Sequence, residues 1–105
     1  MPEQGGTSVV RELIFFDLHL GQGTEDFNAA FKEVQAEMAS IGVVLGRKWG
    51  YLTGTVRTVV YEREFESLAA YEEDDALFHN SKDFMRLWRA MESTLRGMRV
   101  EVWQN

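Results

Sequence analysis

Cysteine is missing from this chain, proline occurs once and histidine twice. With no thiol there is no disulfide framework, no thiolate nucleophile and no cysteine-ligated zinc, a composition that fits a reducing cytoplasm. Long apolar runs are also lacking: no stretch approaches the roughly 18 consecutive apolar residues of a membrane span. The opening residues, MPEQGGTS, have neither the basic start nor the apolar segment of a secretory signal. Basic residues are scarce as well, 11 against 17 acidic for a net charge of −6. That is the wrong sign for a protein whose affinity comes from neutralising phosphates, so nucleic acid and anionic membrane surfaces are not expected partners. Nor is there a phosphate-binding glycine loop, because Gly46, Gly50 and Gly54 fall in and after a strand and do not open a helix. The expected protein is cytoplasmic.

What is present is a set of apolar and aromatic residues written in two periodicities. At 105 residues the chain is long enough for one domain with a modest core. Residues 1–8 lack periodicity and read as a flexible tail, leaving 9–105 as the domain. VVRELIFFDLHL places Val10, Ile14, Phe16, Leu18 and Leu20 on one strand face, a run interrupted only by Glu12. After the Gly21–Thr24 turn, Thr24 is the expected N-cap of a helix with Phe27, Ala30, Phe31, Val34, Met38 and Ile41 on one stripe, stopped at Gly42. A hairpin follows, Val43–Leu52 and Thr55–Phe65, turning at Thr53-Gly54. Ser67 then caps a helix to about Leu77, with Leu68 and Tyr71 inward and Glu72 to Asp75 mostly solvated. Ser81 caps a second helix, carrying Phe84, Leu87, Trp88, Met91 and Leu95 and closing at Gly97. MRVEVWQ ends the chain as a strand.

The order β, α, β, β, α in two pieces, β is the ferredoxin-like βαββαβ arrangement: an α+β fold with a four-stranded antiparallel sheet and its helices on one face. The uncovered face still owns large apolar residues, which marks an interaction surface and predicts a homodimer joined through the sheets. Which hairpin parity faces the helices depends on a loop length that the sequence leaves open.

The run TVRTVVYEREFESLAAYE, then ALFHNSKDFMRLWRAM, then MRVEVWQ resembles the NIPSNAP-like members of the dimeric α/β-barrel superfamily, which also holds small antibiotic-biosynthesis-type monooxygenases. The resemblance rests on the Phe65-Glu66-Ser67 step into a helix, the Asn80–Phe84 break and the Val100-Glu101-Val102 strand. It implies a homodimeric barrel with a pocket between sheet and helices, and no settled reaction.

Several residues have types suited to chemistry. Arg47, Trp49 and Tyr51 share a strand face, where two aromatics beside a guanidinium bind a planar or anionic ligand unless they are simply interface. Arg57, Tyr61 and Arg63 make a second stripe, with Tyr61 as a proton donor and Arg57 as a carboxylate clamp, or with the arginines in ordinary cross-strand pairs. His19 with Asp17 forms a possible oriented base, although two ligands without a third make no metal site. His79, at the helix break, is a candidate base or helix punctuation. With Trp88 it also matches residues of haem-degrading relatives, whose first-strand Asn has no counterpart here. The expected function is binding of a small organic molecule, with Arg47, Trp49, Tyr51, Arg57, His19 and Trp88 as ligand contacts and no resident cofactor or metal. The alternatives are cofactor-independent oxygenation or isomerisation through Tyr61 and His79, haem binding, and a non-catalytic interaction protein.

Overall fold

The computed structural model describes residues 9–19, 21–50 and 57–105. Within them the elements run β1 Val10–Leu18, α1 Gln22–Ile41, β2 Arg47–Gly50, β3 Thr58–Phe65, α2 Leu68–His79, α3 Lys82–Glu92 and β4 Leu95–Gln104. The four strands form one sheet in the order β2-β3-β1-β4, every neighbouring pair antiparallel. This is the expected α+β ferredoxin-like arrangement. The expected tail at 1–8, Leu20, Tyr51 and the Thr53-Gly54 turn lie outside the described residues.

The core forms where the even-numbered face of β1 meets the helices. Ile14, Phe16 and Leu18 join Phe27, Phe31, Val34 and Met38 of α1, Tyr61 of β3, and Phe84 and Met91 of α3. Phe16 sits within 5.0 and 5.4 Å of the Phe27 and Phe31 rings, tilted as aromatic quadrupoles prefer. The α1 stripe recurs at helical spacing, and Gly42 ends it at φ 83°, donating its N–H back to the last turn.

Element ends differ from expectation for local reasons. The first helix begins after Gly21, whose φ of 71° turns the chain before Thr24 is reached. Thr24 instead donates its N–H to the Gly21 carbonyl at 3.0 Å. Residues 43–46 do not join the sheet, because side chains take the groups a ladder would use. Asp74 accepts from the Val44 N–H, Arg63 donates to the Val44 carbonyl, and the Tyr61 phenol oxygen accepts from the Gly46 N–H. The last helix stops at Glu92, its final turn closed by the Ser93 and Thr94 hydroxyls, so Leu95 and Gly97 belong to the final strand. Ser67 and Ser81 cap α2 and α3 as expected, accepting from the Ala70 and Phe84 N–H groups. Leu68, expected inward, is 45% exposed.

Register decides the parity that the sequence left open. Lys48 stands opposite Tyr61, with its ammonium 5.8 Å from the Phe31 ring, so Tyr61, Arg63 and Phe65 look toward the helices. Arg47 and Trp49 stand opposite Glu62 and Val60 on the outer face. Phe15, Arg99 and Trp103 share that outer face, the Arg99 guanidinium 3.9 Å from the Phe15 ring centre.

Candidate functional site

The site is built where β1, β3 and the three helices leave a gap. A cavity of about 270 Å³ lies there, walled by apolar side chains that include Ile14, Phe31, Phe84, Met85, Trp88 and Met98. Its polar corner is made by Glu12, Arg63 and Tyr71, and Asp75 and His79 stand at its edge. A larger concavity of about 470 Å³ opens near the chain ends among Arg11, Leu13, Glu64 and Trp103. That one is a groove on the outer face and holds none of the buried groups.

The polar corner is a buried charge network. Arg63 is 2% exposed, Glu12 5% and Asp74 6%. Arg63 Nε donates to Glu12 Oε1 at 2.7 Å, while Nη1 donates to Asp74 Oδ1 at 2.7 Å and to the Val44 carbonyl at 3.0 Å. The Tyr71 hydroxyl donates to Glu12 Oε2 at 2.8 Å, and the Val44 N–H to Asp74 Oδ2 at 2.7 Å. Burial works against the Arg63 charge, but Glu12 and Asp74 outweigh it and push the guanidinium pKa above its usual value. Burial, followed by the bond to Glu12, pushes the Tyr71 phenol well above the ordinary tyrosine range, so it stays a proton donor. Rings of Phe65 and Phe78 lie 5.0 and 4.9 Å from the guanidinium carbon.

Of the residues singled out in the sequence, Tyr61, His79 and Trp88 are brought together around this cavity. Tyr61 is fully buried, its ring edge-on to Phe31 at 5.0 Å. Trp88 packs 5.6 Å from Phe84 and 6.2 Å from Phe16. His79 is exposed, with Nε2 3.1 Å from Asp75 Oδ2 one helical turn earlier. The others stand apart. Arg47 lies 5.6 Å from the Trp49 ring on the outer face, where the indole N–H donates to Glu62. Arg57 is exposed just before β3 and accepts the Leu18 N–H on its carbonyl. His19 is exposed at the end of β1, while the Asp17 carboxylate is engaged by the Thr58 hydroxyl at 2.9 Å. Tyr51 lies outside the described residues. Among the described residues no cluster of three or more histidine and acidic side chains is placed to hold a metal ion.

Sequence reasoning placed Asp74 among solvated acids, and the structure corrects this. Tyr71, Asp74 and Phe78 follow one another at helical spacing, so a carboxylate on that stripe must enter the core and find a cation there. The lone Glu12 in the apolar face of β1 was the matching signal.

No family model matches the chain, and no curated protein is similar to it in sequence. The fold is shared with solved structures. An uncharacterised NIPSNAP domain protein from Burkholderia xenovorans superposes with a TM-score of 0.74 at 12% identity, covering 90% of this chain and 91% of that one. A NIPSNAP family protein of unknown function from Agrobacterium tumefaciens gives 0.72 at 13% identity, covering 92% and 87%. A cofactor-independent oxygenase from Streptomyces nogalater gives 0.63 at 16% identity, covering 90% of each chain. The resemblance read from residues 55–104 therefore holds as a likeness of fold: this chain is folded like NIPSNAP-family proteins and small cofactor-independent oxygenases.

Proposed function

We propose that this chain forms a cytoplasmic homodimer that holds a small, mainly apolar organic molecule between its sheet and its helices. The observation that carries this reading is the cavity itself, which combines aromatic walls with one fixed polar corner, the usual composition of a small-molecule site. Self-association is supported by the outer face, where Trp49 is 49% exposed near Phe15 and Trp103, opposite Arg11, is 61% exposed. Aromatics standing in water on one sheet face favour a second sheet as their cover. Native mass spectrometry of the purified protein is expected to show a dimer carrying a co-purified organic molecule. Met98→Trp, which fills the cavity from β4, is expected to lose that molecule while keeping the dimer. A monomer at micromolar concentration overturns the assembly. An empty protein whose Trp88 and Met85 signals respond to no aromatic probe overturns the ligand.

A second, catalytic reading has one observation in its favour: the His79–Asp75 pair stands at the edge of the same cavity. A histidine whose ring is oriented by a carboxylate is suited to take a proton from a bound molecule, the first step of an isomerisation or a cofactor-independent oxygenation. Unchanged turnover of an identified ligand in His79→Gln overturns it.

A further inference from the structure

Arg63 has more donors than the described residues satisfy. A guanidinium carries five N–H groups. In Arg63 the Nε hydrogen goes to Glu12, and the two on Nη1 go to Val44 and Asp74. The two on Nη2 meet no acceptor among the described residues, although the side chain is 98% shielded from water, its relative exposure being 2%. A buried donor without a partner is costly, and Arg63 is part of the cavity wall.

The carboxylates beside it are in the opposite condition. Glu12 Oε1 and Oε2 accept from Arg63 and Tyr71, and Asp74 Oδ1 and Oδ2 accept from Arg63 and Val44. The corner therefore lacks an acceptor more than it lacks a donor. Charge sets a second condition. Two carboxylates against one guanidinium leave the corner formally negative, and Asp75 at the cavity edge adds to this, offset by His79 only when that ring is protonated. A carboxylate or phosphate reaching Nη2 would face Glu12 and Asp74 at short range in a poorly hydrated site.

We propose that Nη2 of Arg63 is the recognition group of the cavity, and that the ligand is a neutral, mainly aromatic molecule ending in an acceptor oxygen such as a ketone or ester carbonyl. This rests on the small-molecule reading above and adds the ligand's chemical class. The carbonyl oxygen accepts one of the two Nη2 hydrogens, and the apolar body lies against Phe84, Trp88 and Met98. A hydrocarbon or ammonium end offers no acceptor and leaves Nη2 unmet, and an anionic end meets Nη2 at the cost of like-charge repulsion.

The test uses one aromatic skeleton with four end groups: 2-acetonaphthone, 2-ethylnaphthalene, 2-naphthoate and 2-naphthylmethylammonium. Each is titrated into the full chain while the Met85 and Met98 methyl signals and the Trp88 indole signal are followed by NMR. The ketone is expected to bind at least about tenfold more tightly than each of the other three. It is also expected to shift the Arg63 Nε resonance. In Arg63→Lys, which keeps the charge and removes the fork, the ketone should fall to the affinity of the hydrocarbon; if that variant does not fold, the ranking in the native chain decides. Equal binding of ketone and hydrocarbon overturns the role of Arg63 and leaves the cavity reading standing. Tightest binding of the naphthoate or the ammonium overturns the neutral acceptor. Silence of the cavity signals toward all four overturns this proposal and the small-molecule reading together.

Discussion

Two Arg–Glu pairs sit side by side in the ladder between β1 and β3, and they lie on opposite faces of the sheet. Arg11 stands opposite Glu64 and points outward; Glu12 stands opposite Arg63 and points into the core. The residue types are the same and the backbone register is continuous, yet the physics is different. The outer pair leaves Arg11 48% and Glu64 53% exposed, with Glu62 close by, so water and salt screen it. The inner pair is shut away with Asp74 as a third member, and each charge depends on the others for the solvation it has lost. One step along a strand separates a decoration from a structural dependency.

Breaking the inner pair is therefore expected to have the largest effect. Arg63→Met leaves two buried carboxylates without their cation, a loss of about 3–5 kcal/mol. Against the total stability usual for a domain of this size, this brings the chain close to unfolding. Urea denaturation followed by tryptophan fluorescence measures it; a loss under about 1 kcal/mol would mean that the three buried charges do not depend on one another.

Next in size is Gly46→Ala, which tests how the network is reached. A Cβ at this position would lie 2.1 Å from the Glu62 carbonyl oxygen and 2.7 Å from Arg63 Cγ. The backbone oxygen cannot move aside without disturbing β3, so the segment carrying Val44 must retreat from Arg63 and Asp74. A cost of about 2–3 kcal/mol is expected from the forced displacement. Gly50→Ala, where nothing lies within 4 Å of the added carbon, is the control and should be near neutral.

Tyr71→Phe removes only the neutral member of the inner network and should cost about 1.5–2 kcal/mol, the low end of the range for a hydrogen bond to a charged acceptor. It also carries a pH signature. The phenol's folded pKa is raised, first by burial and then by Glu12. Its contribution is thus complete below the ordinary tyrosine pKa of about 10 and is lost as pH rises beyond that, because the unfolded chain ionises first. Stability of the native chain should fall more steeply above that pH than stability of Tyr71→Phe. Parallel slopes would show that the phenol is not held by the core.

The inner network also marks what the sequence made readable. Element order, both serine caps, the Gly42 stop and the aromatic stripe of α1 were legible because each is encoded within a few residues. Glu12 was visible as the one polar break in an apolar strand face. Asp74 was hidden inside a run of four acids, where composition says solvent and only the helical period says core. Nothing local joins Glu12, Arg63 and Asp74, since they come from three elements and meet only when the register is set. The same dependence on register divided the candidates: Tyr61, His79 and Trp88 share the cavity, while Arg47 and Trp49 fell to the outer face. For a related reason the apolar helical pattern runs on to Leu95, past the end of the last helix at Glu92, which is set by the Ser93 and Thr94 hydroxyls.

The smallest expected effect belongs to the outer pair. Arg11→Ala removes contacts to Glu62 and Glu64, but the guanidinium is bathed in solvent. Exposed pairs of this kind contribute close to nothing once salt and side-chain entropy are counted. Its unfolding midpoint in dilute solution should match that of the native chain within the scatter of the measurement, and added salt should erase any remainder. This near-zero result has a use beyond contrast. If the outer faces meet in a dimer, Arg11, Glu62 and Glu64 leave water when the second sheet arrives, and the outer pair acquires the condition of the inner one. The effect of Arg11→Ala should then grow with protein concentration, whereas that of Arg63→Met stays large at every concentration. Equal, negligible effects of Arg11→Ala at high and low concentration would mean that this end of the outer face stays in water and that the sheets do not meet across it.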